Sequence, residues 1–149
     1  MQIRHKNREI YFREQAECTQ KYVIPYIEQV LCIKPNLRIL EIGCGEGGNL
    51  KPFLDLGCQC VGIDIDVAQL EKAKAFFANH SLNKNLRLIA NDIYKVLPNE
   101  IGHFDLIILR DVIEHIPNQE VFMHQLKCFM HSESVVFFGF HGTFGSFGA

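Results

Sequence analysis

Arg38-Ile39-Leu40-Glu41-Ile42-Gly43-Cys44-Gly45-Glu46-Gly47-Gly48-Asn49 decides the reading of this chain. Arg38 to Ile42 is a short apolar strand pattern. It runs directly into glycines at 43, 45, 47 and 48, and a helical pattern follows. Strand, glycine turn and helix together build a nucleotide-type site. The glycines let the backbone come close to a ligand, and the helix N-terminus offers unpaired N–H groups.

The glycine spacing fits two patterns. Gly43, Gly45 and Gly48 satisfy the G-x-G-x-x-G of dinucleotide sites, and Gly43, Gly45 and Gly47 satisfy a tighter G-x-G-x-G. Glu41 separates them. A carboxylate two residues before the first glycine repels a pyrophosphate and holds a cation. Here the sequence resembles the class I S-adenosylmethionine (SAM)-dependent methyltransferases, whose first motif is an acidic residue followed by G-x-G-x-G. SAM carries a sulfonium and an ammonium and has no phosphate, so the acid is chemically apt.

Working outward, 149 residues with 48% apolar and 21% charged side chains describe one globular domain with a core. A net charge of −2 gives no basic surplus for nucleic acid or an anionic membrane. No apolar run reaches transmembrane length, and the basic N-terminus lacks the apolar core of a signal peptide. These features point to a cytoplasmic chain. The six cysteines (18, 32, 44, 58, 60 and 128) show neither metal nor disulfide spacing, and the histidines show no ligand spacing. No metal is expected. Cys44 reads as a small filler of the glycine loop rather than a nucleophile, because no partner base is nearby.

Residues 1–34 read as an N-terminal helical region, split by Pro25 into Lys6–Tyr22 and Pro25–Ile33. Ile27, Val30 and Leu31 of the second piece are spaced to pack on the sheet. Residues 35–140 read as strands alternating with helices: strands Arg38–Ile42, Cys60–Ile65, Leu86–Ala90, Phe104–Leu109 and Ser134–Phe140, with helices near Gly48–Leu56, Val67–Ala78 and Asn118–Met130. That alternation predicts an α/β fold, a doubly wound and mostly parallel sheet with right-handed crossovers. Asp66 is placed to cap the helix at Val67. Residues 141–149 are rich in Gly and Phe and read as a loose tail.

In such sheets ligands bind beyond the carboxyl ends of the strands. Asp64 ends the second strand, where a carboxylate can accept from both ribose hydroxyls or simply cap the loop. The resemblance assigns SAM contacts to Glu41, Gly43, Cys44, Gly45, Gly47 and Arg110. It gives Asp64 the ribose, places Ile65 against the adenine, and makes Asp92, with Ile93 beside it, the acceptor for the adenine amino group. Asp92 is equally placed for an Asx-turn. Arg110-Asp111-Val112-Ile113-Glu114-His115-Ile116-Pro117 resembles the segment that flanks the methionine part of SAM. Asp111 and Glu114 read as solvated acids. His115 is the candidate general base, against a structural role donating to backbone. Tyr11, Phe12 and Arg13 form either part of a lid or a packing face.

The resemblance spans Lys34 to Phe140 and is nearest to the small-molecule methyltransferases of the quinone-biosynthesis type. It implies a Rossmann-like methyltransferase fold with strand order 3-2-1-4-5, SAM as cofactor, S-adenosylhomocysteine as product and a small-molecule methyl acceptor. Two features depart from the family. Leu126 to Ser134 lacks the usual Leu-x-Pro-Gly-Gly turn. Nothing follows strand five to supply the family's last two strands, which leaves that strand as an edge. The chain reads as a truncated or frame-shifted member, or as one whose edge a partner such as a second copy covers. The competing functions are an NAD-binding oxidoreductase domain, opposed by Glu41, and a catalytically inactive SAM-binding domain.

Overall fold

The three central apolar runs, Arg38–Ile42, Gln59–Asp64 and Phe104–Arg110, form strands largely buried on both faces, and the two edge strands are only partly covered. A computed structural model of the chain describes residues 2–139, with side chains from residue 7 onwards. The strands are β1 (Arg38–Ile42), β2 (Gln59–Asp64), β3 (Leu86–Ala90), β4 (Phe104–Arg110) and β5 (Met130–Gly139). They form one sheet in the order β3-β2-β1-β4-β5, with every pairing parallel. This is the expected order. The register sets Glu41 of β1 opposite Gly62 of β2 and Ile108 of β4.

Alternation along β1 sends Ile39 to one face of the sheet and Leu40 and Ile42 to the other. The first face is covered by the N-terminal helices and by α3 (Lys51–Asp55) and α4 (Val67–Phe77), which contribute Phe12, Ile27, Phe53, Leu70 and Phe77. The second is covered by α5 (Pro98–Ile101) and α6 (Gln119–Lys127), with Phe122 and Leu126 at its centre. The helix starts follow from capping. Asp66 accepts from the N–H groups of Ala68 and Gln69, and Asn118 accepts from that of Val121. Pro52 sits in the first turn of α3, where its missing N–H costs nothing.

The N-terminal region differs from the sequence expectation. Pro25 does not split it. Helix α1 (Gln2–Cys18) passes into a π-helical turn (Thr19–Val23) and on into α2 (Ile24–Ile27). The wide turn lets Ile24 donate to the Thr19 carbonyl, and so accommodates the donor that Pro25 lacks. Helical structure then ends early, so Val30 is 73% exposed instead of packing on the sheet. Ile27 is buried as expected. Strand β5 starts four residues before the expected Ser134, and α6 stops at Lys127. The register between β4 and β5 shifts between Phe104 and Leu106, which takes up the extra residues. The expected tail, residues 141–149, and Phe140 lie outside the described residues.

Candidate functional site

The Gly43–Gly47 loop is stapled to the end of β2. The Gly43 and Cys44 N–H groups donate to the Ile63 carbonyl at 2.7 and 3.2 Å. The Gly45 N–H donates to Asp64 Oδ2 at 2.8 Å, and Asp64 Oδ1 accepts from the Asp66 N–H at 2.9 Å. Asp64 therefore does cap the loop. Each of its oxygens keeps a further lone pair, so capping and ligand contact are compatible. Gly43 is required by conformation and by space: its φ is +73°, and a Cβ there would lie 2.5 Å from Val112 Cγ2. Gly62 in β2 is required by space alone. A Cβ there would lie 2.7 Å from Cys44 Sγ, so the loop cysteine packs down onto the sheet through this gap. Burial raises the Cys44 thiol well above its ordinary value, aided by the carboxylates of Glu41 and Asp64. This agrees with a filler role.

A cleft of about 270 Å³ opens above the loop. Its walls include Gly43, Cys44, Gly45, Glu46 and Asn49 from the loop, Gln69 from α4, Arg110, Asp111 and Val112 from the end of β4, and Arg8, Tyr11 and Gln15 from α1. The chain leaves β4 through Asp111, whose φ of 57° is tolerated better by Asp than by most side chains.

Glu41 shares a sheet face with Ile39 and is buried, 1% exposed. Its Oε2 accepts from Asn49 Nδ2 at 2.9 Å. Asn49 Oδ1 in turn accepts from Thr19 Oγ1 and from Arg110 Nη1, both at 2.8 Å. Burial pushes the Glu41 carboxyl up to about 8, opposed by the Asn49 hydrogen bond and the Arg110 charge and reinforced by Asp64. Glu46 is also buried, and its Oε1 accepts from Arg8 Nη1 at 2.9 Å. Among the described residues, two buried side-chain oxygens lack a hydrogen-bond partner, Glu41 Oε1 and Glu46 Oε2. Buried acceptors without donors are costly, and here both belong to carboxylates beside one glycine loop. This set of acceptors therefore suits a ligand with a cationic, N–H-rich end and opposes a phosphate.

Of the residues singled out in the sequence, Gly43, Cys44, Gly45 and Arg110 line the cleft, Glu41 lies behind Asn49, and Asp64 holds the loop from below. Ile65 is 76% exposed just past β2. Asp92 forms the Asx-type cap, accepting from the Tyr94 N–H at 3.0 Å. Ile93 is buried in the second core cluster, off the cleft wall. His115 is exposed in the turn Ile113–His115, with Nε2 3.6 Å from Glu114 Oε1, also off the wall. The aromatic-basic cluster divides: Tyr11 lines the cleft, Phe12 stacks on Phe76 with ring centroids 4.4 Å apart, and Arg13 is exposed.

Sequence reasoning missed Glu46, Asn49, Thr19, Arg8 and Gln69. For Glu46 and Asn49 a signal existed, since both are polar residues inside a stretch that must pack closely. Among the described residues no group of three His, Cys, Asp or Glu side chains could hold a metal ion. None of their helices is long and apolar enough to cross a membrane.

The chain matches the model of the methyltransferase domain family over residues 12–142. It is 27% identical over 125 residues to the ubiquinone biosynthesis O-methyltransferase of Bartonella tribocorum, covering 76% of this chain and 49% of that protein. The Brucella melitensis protein of the same name is 28% identical over the same shares. The chain thus spans about half the length of the curated relatives it matches. Among solved structures, a putative SAM-dependent methyltransferase from Methanococcus maripaludis superposes with a TM-score of 0.74 at 15% identity, over 91% of this chain and 61% of that one. Coclaurine N-methyltransferase, bound to N-methylheliamine and S-adenosylhomocysteine, superposes with a TM-score of 0.68 at 19% identity, over 82% and 35%. These likenesses decide between the two readings of the glycine spacing: the chain belongs to the methyltransferase domain family, the class I SAM-dependent methyltransferases.

Proposed function

We propose that the chain binds SAM at the glycine-loop cleft and transfers its methyl group to a small-molecule acceptor. The observation that carries this reading is the pair of buried, unpartnered carboxylate oxygens, Glu41 Oε1 and Glu46 Oε2, beside the loop. A ligand ammonium offers the donors they lack. Asp64, with its spare lone pairs, accepts from the ribose hydroxyls. Ile65 lies against the adenine, and Asp92 accepts from its amino group. SAM, when bound, supplies a sulfonium-activated methyl group. The chain's own residues orient it and hold its charge. The curated relatives, named for O-methylation in ubiquinone biosynthesis, support an oxygen nucleophile on the acceptor.

The test is calorimetric titration of the whole chain with S-adenosylhomocysteine and, in parallel, with NADH. Binding of S-adenosylhomocysteine alone is expected. Asp64→Ala should weaken it about tenfold or more, because the loop and the ligand lose the same carboxylate. Binding of NADH instead, or of neither ligand by a folded chain, overturns the reading.

A further inference from the structure

Asn49 joins three parts of the molecule that are distant in sequence. Its Oδ1 receives two donors, the Thr19 hydroxyl from the π-helical turn and the Arg110 guanidinium from the end of β4. Arg110 Nη1 also reaches Thr19 Oγ1 at 3.4 Å. Two donors converging on one amide oxygen leave only one orientation for the amide, with Nδ2 turned to Glu41 Oε2. That single bond occupies one carboxylate oxygen of Glu41 and leaves Oε1 without a partner. Thr19, Glu41 and Asn49 are all at least nine-tenths buried, so water does not substitute freely for any of these bonds.

We propose that Asn49 is a positioning residue: its amide, oriented by Thr19 and Arg110, holds Glu41 with one oxygen bonded and the other kept as acceptor for the cationic end of the cofactor. This rests on the cofactor reading above. The π-helical turn then has a purpose beyond accommodating Pro25. It carries the buried Thr19, whose hydroxyl fixes the amide. Removing the first link, at Thr19, is felt at Glu41 two hydrogen bonds away.

The charged and titratable groups around Glu41 are Arg110 from β4, Asp64 from β2, Cys60 from β2 and Cys44 from the loop. Arg110 favours the ionised carboxylate, and Asp64 disfavours it. Both thiols are held neutral by burial. The Asn49 amide is the hydrogen-bond donor that favours ionisation. If it turns or is replaced by an acceptor, Glu41 holds its proton to higher pH, and the cationic ligand meets a neutral acid.

The test measures the Glu41 carboxyl titration by 13C NMR and the affinity for S-adenosylhomocysteine from pH 6 to 9.5, in the whole chain. Asn49→Asp should move the Glu41 midpoint up by about one unit or more, because a second acidic group faces it. Affinity should then fall near pH 7 and recover at the alkaline end. Thr19→Val, the gentler variant, should weaken binding about fivefold near pH 7, the worth of one neutral hydrogen bond, and less at pH 9.5. Thr19→Ser should restore it. Loss of affinity by the same factor at every pH, with unmoved Glu41 midpoints, would reduce Asn49 to a structural role and overturn the proposal. Absence of S-adenosylhomocysteine binding by the unaltered chain overturns the cofactor reading instead. The Glu41 midpoints then decide the role of Asn49 by themselves.

Discussion

The two ends of the same sheet treat polar groups in opposite ways. At the amino end, the Arg38 N–H donates to Asp105 Oδ2 at 2.8 Å, and the Arg38 guanidinium donates to the carbonyls of Ile101 and His103 while lying 4.8 Å over the Phe104 ring. Asp105 Oδ1 is 2.8 Å from His131 Nε2, and His131 Nδ1 accepts from the Glu133 N–H. Ser134 Oγ donates to the Phe104 carbonyl and accepts from the His131 N–H. Every one of these groups has a partner. At the carboxyl end, Glu41 and Glu46 are more deeply buried, yet each carries an oxygen without one. The amino end closes on itself and secures β1, β4 and β5. The carboxyl end is left with two unpartnered acceptors, the feature on which the proposed cofactor site rests.

The comparison can be broken most forcefully at Asp105. Asp105→Ala removes the acceptor of both the Arg38 N–H and His131, and should cost about 2 kcal/mol in urea unfolding, the penalty for orphaned donors. Affinity for S-adenosylhomocysteine should stay within twofold. A stable variant with weakened binding would mean that the two ends are not separate in role.

Glu41→Gln probes the other end, and its effect grows towards alkaline pH. The folded-state pKa of Glu41 is raised to about 8 from an ordinary 4.5. Its contribution to stability is therefore fully present below 4.5 and is lost as pH rises through 8. A glutamine carries no such charge. The variant should melt with the native chain at pH 5 and clearly above it at pH 9, because each unit of raised pKa is worth about 1.4 kcal/mol of stability lost on ionisation. Melting curves that differ equally at both pH values would remove the buried charge from the comparison.

Ser134→Ala is the finest cut. It deletes one donor and one acceptor from the amino-end network and should cost about 1 kcal/mol with no effect on binding. A change under a few tenths would show that His131 and Asp105 hold β5 without it.

Much of the sheet was legible because parallel strands buried on both faces are continuous apolar runs, as in Phe104 to Leu109. Asp66 was legible because capping is local, whereas Asn118, expected as the first helical residue, caps the helix from just outside it. Glu41 and Asp64 stood out as candidates because a carboxylate beside a glycine loop or at a strand end is visible in the sequence itself. Thr19 was not, because it reaches Asn49 across 30 positions, through a π-helical turn that no local pattern announces. Pro25 misled for the same reason. A proline argues for a break, and the break was absorbed by a wide turn instead. Gly62 carries no local signal of its role. Its use is visible only once Cys44 is seen to sit over it. What the sequence concealed was contact between segments, and the polar bonds around Asn49 are made of such contacts.

The packing of Cys44 against Gly62 also turns the molecule's thiols into a set of clocks. Cys32 and Cys128 lie on the surface and Cys18 is half-covered, whereas Cys44, Cys58 and Cys60 are buried. Burial holds Cys58 at about 11 and Cys44 and Cys60 higher than their ordinary value, so none of the three is a thiolate in the native fold. A soluble alkylating reagent therefore reads Cys44 only when the glycine loop lifts from β2. The labelling rate at that one sulfur reports how often the loop opens, in a protein otherwise at rest.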